Sequence, residues 1–207
     1  RIMAKSNRTR IEDVRRKELI EAAHRVFMTH GLTGMTTARI CAEAGLSPGI
    51  LSYYFKGKEE VLFAMVRLNN RALAEDVVAR LRSARNLWER LLAIIEGNFP
   101  AAYFHQNVAN AWLSVCAASN TNPHYAMLQQ IFHKRLSSNL ASTLSHVLEP
   151  DQTARLTLLI GVEIDGLWLR KSADPALDRT TAVDLILTSL ETEISSAAKA
   201  RLISLAV

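Results

Sequence analysis

The chain has little cysteine, no long apolar run and no cluster of metal-ligand spacing. Its two cysteines, Cys41 and Cys116, stand far apart and in no metal or redox spacing. Each is expected to be a small buried apolar residue in a reducing compartment. The longest apolar run, Leu156 to Val162, is far too short for a bilayer. No apolar segment of a secretion signal appears near the start, so the expected location is the cytoplasm. The five prolines (Pro48, Pro100, Pro123, Pro150 and Pro175) all fall at candidate helix starts or breaks. The six histidines (His24, His30, His105, His124, His133 and His146) are scattered. Glu21 and His24 have the Glu-x-x-His spacing of di-iron bundles, but only one copy exists. No Gly-rich phosphate loop and no activated nucleophile is visible. We therefore expect no catalytic residue, no metal and no cofactor.

What is present is a globular composition, with 49% apolar and 22% charged residues in 207. The formal net charge is +5, and its distribution is uneven. Residues 1–60 carry eleven Lys or Arg against seven Asp or Glu, a balance of +4, and the rest carry fourteen against thirteen, a balance of +1. Basic charge gathered in one segment is what attraction to a phosphate backbone requires. The first seventeen residues hold seven basic and two acidic side chains. Arg8, Arg10, Arg15, Arg16 and Lys17 thus read either as an arm along DNA or as a solvated tail.

Within the basic segment, residues 36–60 read as two short helices, a tight turn and the start of a long helix. Gly45 stands where the first short helix must end, because glycine takes the left-handed conformation at no steric cost. Ser47 is placed as an N-cap, and Pro48 suits the first helical position. A glycine-containing turn of this length is the helix-turn-helix signature, whose second helix enters the major groove. At about 100° per residue, Leu51, Tyr54 and Phe55 fall on one side of that helix, with Gly49, Ser52 and Tyr53 opposite. The first group is expected inside and the second on DNA, with Ile50 placed to reach a thymine methyl. Lys56 and Lys58 are placed to meet phosphate, as are the N–H groups that open the helix near Lys58.

Residues 15–65 resemble the DNA-binding domain of TetR-family repressors. The shared features are an amphipathic first helix (Leu19, Ile20, Ala23, Val26, Phe27) closed by Gly31, then Thr36-Thr37, Ile40, Ala44-Gly45, a Tyr-Tyr-Phe run and Lys58-Glu59-Glu60. The family commonly has Tyr-Tyr-His-Phe where this chain has Ser52-Tyr53-Tyr54-Phe55, which leaves Tyr53 as the DNA-contacting tyrosine. The resemblance and the spacing together assign Arg15, Thr36, Thr37, Ser47, Gly49, Ser52, Tyr53, Lys56 and Lys58 to the DNA surface.

Beyond residue 60 the pattern is helical throughout. Helices are expected at about 58–82, 86–99, 101–119, 123–148, 151–172 and 179–203, giving an all-α chain of about nine helices. The expected division is 1–57 for DNA binding and 58–207 for effector sensing and dimerisation. Helix 151–172 carries Leu156, Leu159, Ile160, Val162, Ile164, Leu167 and Leu169, and helix 179–203 carries Val183, Ile186, Leu187, Leu190 and Ile194. Faces this wide must bury more than one side. Pairing with the same helices of a second copy, as TetR relatives do, predicts a homodimer on a pseudo-palindromic operator with recognition helices about 34 Å apart.

The second region also holds polar and aromatic residues that packing alone does not demand. Asp165 and Trp168 are three apart, hence on one helix face. A carboxylate in so apolar a helix is costly without a cation. With Trp112, Asn98 and Phe99, these suit a quaternary ammonium ion, which ring faces and diffuse charge attraction must hold. Gly97-Asn98-Phe99, Ala111-Trp112-Leu113 and Ile164-Asp165-Gly166-Leu167-Trp168-Leu169-Arg170 are similar to the BetI branch of the family. That resemblance implies a repressor that responds to choline and controls glycine betaine synthesis. The branch often follows Ala-Trp-Leu with a Phe-Trp pair where this chain has Val115-Cys116. Other readings stay open at this level. Trp112 and Trp168 also read as core residues, and Asp165 as the partner of Arg170, Lys171 or a second chain. The effector also reads as a fatty acyl, aromatic or drug-like molecule. Non-sensing alternatives are an architectural DNA-binding protein and a metal bundle carrying an incidental helix-turn-helix.

Overall fold

The computed structural model describes residues 2–207, with the side chains of 2–10, 32, 33, 69, 72 and 73 outside the description. Arg8 and Arg10 of the expected arm lie outside the described side chains. Among the described residues there are ten helices and no strand, the expected all-α class. The helices form two compact units, residues 1–70 and 71–207.

In the first unit α1 spans Ile2–Gly34 and is kinked at Gly31, whose φ of 66° is left-handed. Helix α2 spans Thr37–Glu43, α3 Pro48–Tyr54, and α4 begins at Lys58 and ends at Ser83. Leu19, Ala22, Ala23, Val26 and Phe27 bury one stripe of α1, which packs on α2 and α3, and Ile40, Cys41, Leu51 and Phe55 are buried too. The turn between α2 and α3 is a Schellman closure. Gly45, at φ 66°, donates its N–H to Ala42 O at 3.1 Å, and Leu46 donates to Cys41 O at 2.9 Å. Ser47 holds the N-cap position of α3 but makes no side-chain capping bond, contrary to expectation. Pro48 supplies the fixed φ at the helix start in its place.

In the second unit α5 spans Leu87–Gly97, α6 Gln106–Ala118, α7 Pro123–Leu144, α8 Pro150–Ala173, α9 Arg179–Glu193 and α10 Ser196–Ser204. Helix α8 packs against α6, α7 and α9, while α5 packs against α7, α9 and α10. Their shared core includes Leu91, Ile94, Leu140, Leu156, Ile160, Ile164, Ile186 and Leu190. No helix among the described residues is long and apolar enough to cross a membrane.

Three sequence expectations shift. The helix expected from 101 begins at Gln106, because the N–H groups of Tyr103 and Phe104 both bond Pro100 O at 2.9 Å in a preceding turn. The helix expected over 179–203 breaks at Ile194, with ψ 142°, and restarts where the Ser195 hydroxyl accepts from the Ala198 N–H at 3.1 Å. Val183, Ile186, Leu190 and Ile194 are buried within the chain itself, so they are not a free pairing face. The large apolar side chains that α8 and α9 leave exposed are Leu158, Val162, Leu169 and Leu185.

Candidate DNA surface and effector site

The short α3 turns Leu51 inward, and Phe55 just beyond it is also buried, while Ser47, Gly49, Ser52 and Tyr53 stand exposed. Tyr53 keeps 63% of its surface in water, and its hydroxyl donates to Glu12 Oε1 at 3.1 Å. Thr36 caps α2 by accepting the Arg39 N–H at 3.3 Å, and Thr37 follows it, half-buried. Arg39, which the sequence reading passed over, is exposed beside this cap and is steadied by Gly34 O at 2.9 Å. Arg15 is exposed and bonds Glu18 at 2.7 Å. Arg16 lies 4.6 Å over the Phe55 ring and 3.4 Å from Glu60, which ties α1 to the end of the recognition helix.

Lys56 is exposed and Lys58 half-buried. The Lys56 N–H donates to Glu60 Oε2 at 2.8 Å, so a carboxylate reaches back across the N-terminus of α4. Glu59 and Glu60 put two negative charges in that first turn, which opposes the expected phosphate binding by its N–H groups. The Lys56 side chain is the exposed cation beside it. The surface therefore combines an exposed hydroxyl-bearing helix face with flanking cations, the chemistry of groove entry and phosphate contact.

The five residues expected at an effector site fall into two groups. In the first, Trp168 is buried and its indole N–H donates to Asn98 O at 3.1 Å. Its ring lies near-parallel to Phe99 at 6.4 Å and edge-on to Phe104 at 5.1 Å. The Asn98 side chain donates to Ile94 O at 2.7 Å, completing the end of α5. These aromatics pack on one another at the centre of the unit, and the one indole donor is satisfied.

The second group joins α6, α7 and α8. Trp112 packs against Phe132 at 5.4 Å, and Phe132 against His133 at 5.7 Å. His133 Nε2 lies 3.3 Å from Asp165 Oδ2, an ion-pair distance. Cys116, one helical turn after Trp112, feels the Asp165 charge. Burial pushes the Asp165 carboxyl above its ordinary range, and His133 only partly offsets this. Burial and the Asp165 charge push the Cys116 thiol up to about 11. A carboxylate in this position is under-compensated, and a cation is what would relieve it. His133 and Phe132 were not legible as site residues, because their link to Asp165 joins distant parts of the chain.

An N-terminal helix-turn-helix on a helical sensor unit defines a ligand-responsive transcriptional regulator class, and sequence comparison agrees. Residues 19–65 match the family described as bacterial regulatory proteins, tetR family, and residues 88–195 match the BetI-type transcriptional repressor C-terminal family. The chain belongs to the TetR family and, within it, to the BetI-type repressors. The HTH-type transcriptional regulator BetI of Brucella canis is 36% identical over 178 residues, 85% of this chain and 89% of that protein. That of Cronobacter sakazakii is 37% identical over 162 residues, covering 77% and 80% of the two chains. A putative transcriptional regulator from Saccharomonospora viridis, solved in complex with choline, shares the fold with TM-score 0.75 and 22% identity, over 85% of this chain and 95% of that one.

Proposed function

We propose that this repressor senses a small quaternary ammonium compound of the choline class, bound beside Asp165. The observation that carries the reading is the Asp165 carboxylate. It faces His133 of α7 at 3.3 Å and acts on the Cys116 thiol of α6, the rings of Phe132 and Trp112 continue the row from His133, and burial disfavours its ionised form. An alkylated cation would compensate that charge without needing a hydrogen-bond acceptor, and the nearby rings supply favourable faces. The choline complex of the S. viridis relative supports the same ligand class.

In this reading Trp112 and Asp165 meet the ligand, whereas Asn98, Phe99 and Trp168 shape the unit behind it. The DNA surface uses Arg15, Thr36, Thr37, Ser47, Gly49, Ser52, Tyr53, Lys56 and Lys58. Residues 1–57 serve DNA binding, and 58–207 serve sensing and dimerisation in the cytoplasm. Leu158, Val162 and Leu169 supply an apolar strip through which two copies pair on a pseudo-palindromic operator. Ligand acts by favouring one arrangement of the dimer over the other, a coupling of about 1–3 kcal/mol in such systems. The regulated function is glycine betaine synthesis.

Calorimetric titration with choline, against carnitine and glycine betaine, tests the reading. Saturable choline binding near one per subunit is the expected result. Absence of heat and saturation removes choline and moves the search to apolar or aromatic effectors.

A further inference from the structure

The C-terminal turn of α5, residues 96–99, is held by three other helices at once. Trp168 of α8 donates to Asn98 O at 3.1 Å. Arg179, at the start of α9, donates to Phe99 O at 2.6 Å and to Glu96 Oε2 at 3.2 Å. Arg80 of α4 donates to the same Glu96 oxygen at 3.3 Å while its Nε holds Asp76 at 2.8 Å. Next to Glu96, α4 comes so near that a Cβ on Gly97 would lie 2.5 Å from Val77 Cγ2. A larger residue there would have to push the Val77 side chain aside.

Two features set this turn apart from ordinary packing. Glu96 places a negative charge in the last turn of a helix, the end where the backbone dipole disfavours it. Two guanidiniums converging on one oxygen offset that cost. In addition, this end of α4 meets the turn directly, and Leu81 packs on the core of the same unit. The 76–80 segment of α4 is fastened by the Arg80–Glu96 pair and the Val77–Gly97 contact. These contacts set the direction of this end of α4, which is one continuous helix back to Lys58.

We propose that Glu96 is a positioning residue for operator binding: bridging Arg179 and Arg80, it fixes the direction of α4. Operator binding by a two-fold pair requires a set separation of recognition helices, so a freer α4 must be ordered on binding, at a cost in affinity. The inference needs DNA binding only, and it stands or falls independently of the choline reading.

The test measures affinity for an operator duplex, selected from a random-sequence library by the wild-type protein, without added ligand. Glu96→Gln keeps shape and removes charge. Arg80→Gln releases α4 while leaving Arg179 on Glu96 and Phe99. Glu96→Asp retains charge. Melting temperature and oligomeric state are followed alongside. The expected result is a loss of operator affinity of about 3- to 30-fold in both Gln variants, the range for residues that modulate coupling between sites. Partial recovery is expected in Glu96→Asp, with the melting temperature nearly unchanged. If Glu96→Gln does not fold, Arg80→Gln decides alone. Affinity within twofold of wild type, or increased, in a folded variant overturns the proposal, as does a loss explained wholly by lowered melting temperature.

Discussion

Asp165→Asn separates the cost of the candidate site from its use. At about 4 Å and an effective dielectric of about 20, a carboxylate and a unit cation attract by about 4 kcal/mol. Asp165 keeps 45% of its side chain exposed. Water and salt reduce the attraction to about 1–2 kcal/mol, which is roughly 5- to 30-fold in Kd. Stability should move the other way or not at all. Folding raises the Asp165 pKa, so the native state binds this proton more tightly than the unfolded chain. The stabilisation from that proton is full at acid pH and is lost as pH rises through the raised folded value. At neutral pH the charged group is a net burden, which Asn removes. The assay is calorimetric titration with choline at low and high salt, with thermal melting of both proteins. Asp151→Asn, an exposed change of equal charge in the first turn of α8, is the control. Choline affinity unchanged within twofold in Asp165→Asn would refute the reasoning. A fall in melting temperature with loss of the dimer would instead assign Asp165 a structural role.

Lys56→Ala should weaken operator binding almost equally across sequences and lower the log-log salt slope by about 0.9, read from binding curves at several salt concentrations. At pH 8 the Cys116 thiol, held at about 11, should alkylate far more slowly than a free cysteine, by about 100-fold from its thiolate fraction. Asp165→Asn should speed that reaction, measured by mass spectrometry with iodoacetamide, and an unchanged rate would contradict the proximity of the two groups. Gly45→Ala forces an alanine to φ 66° and should cost about 1–2 kcal/mol, visible as a melting temperature lower by several degrees with weakened operator binding.

How much was readable follows from the range of the interactions concerned. The helix-turn-helix was legible because its signals are local. Gly45 closes α2, Pro48 opens α3, and the inward Leu51 and Phe55 alternate with the outward Ser52 and Tyr53. The break at Ile194 was not, because neither glycine nor proline marks it and the apolar period runs on past it. The side of α9 available to a second copy was also hidden. Val183, Ile186 and Leu190 look like a free face until α5 and α8 are seen to cover them.

The sequence by itself determined the all-α class, the DNA-binding motif and the residues of greatest chemical interest, because periodicity and turn chemistry act over a few residues. Only the tertiary structure decided how those residues are grouped. Asp165 and Trp168 share a helix face by spacing, yet one meets His133 on α7 and the other the end of α5. Which neighbour each side chain meets depends on contacts between helices far apart in the chain, and no local pattern encodes them.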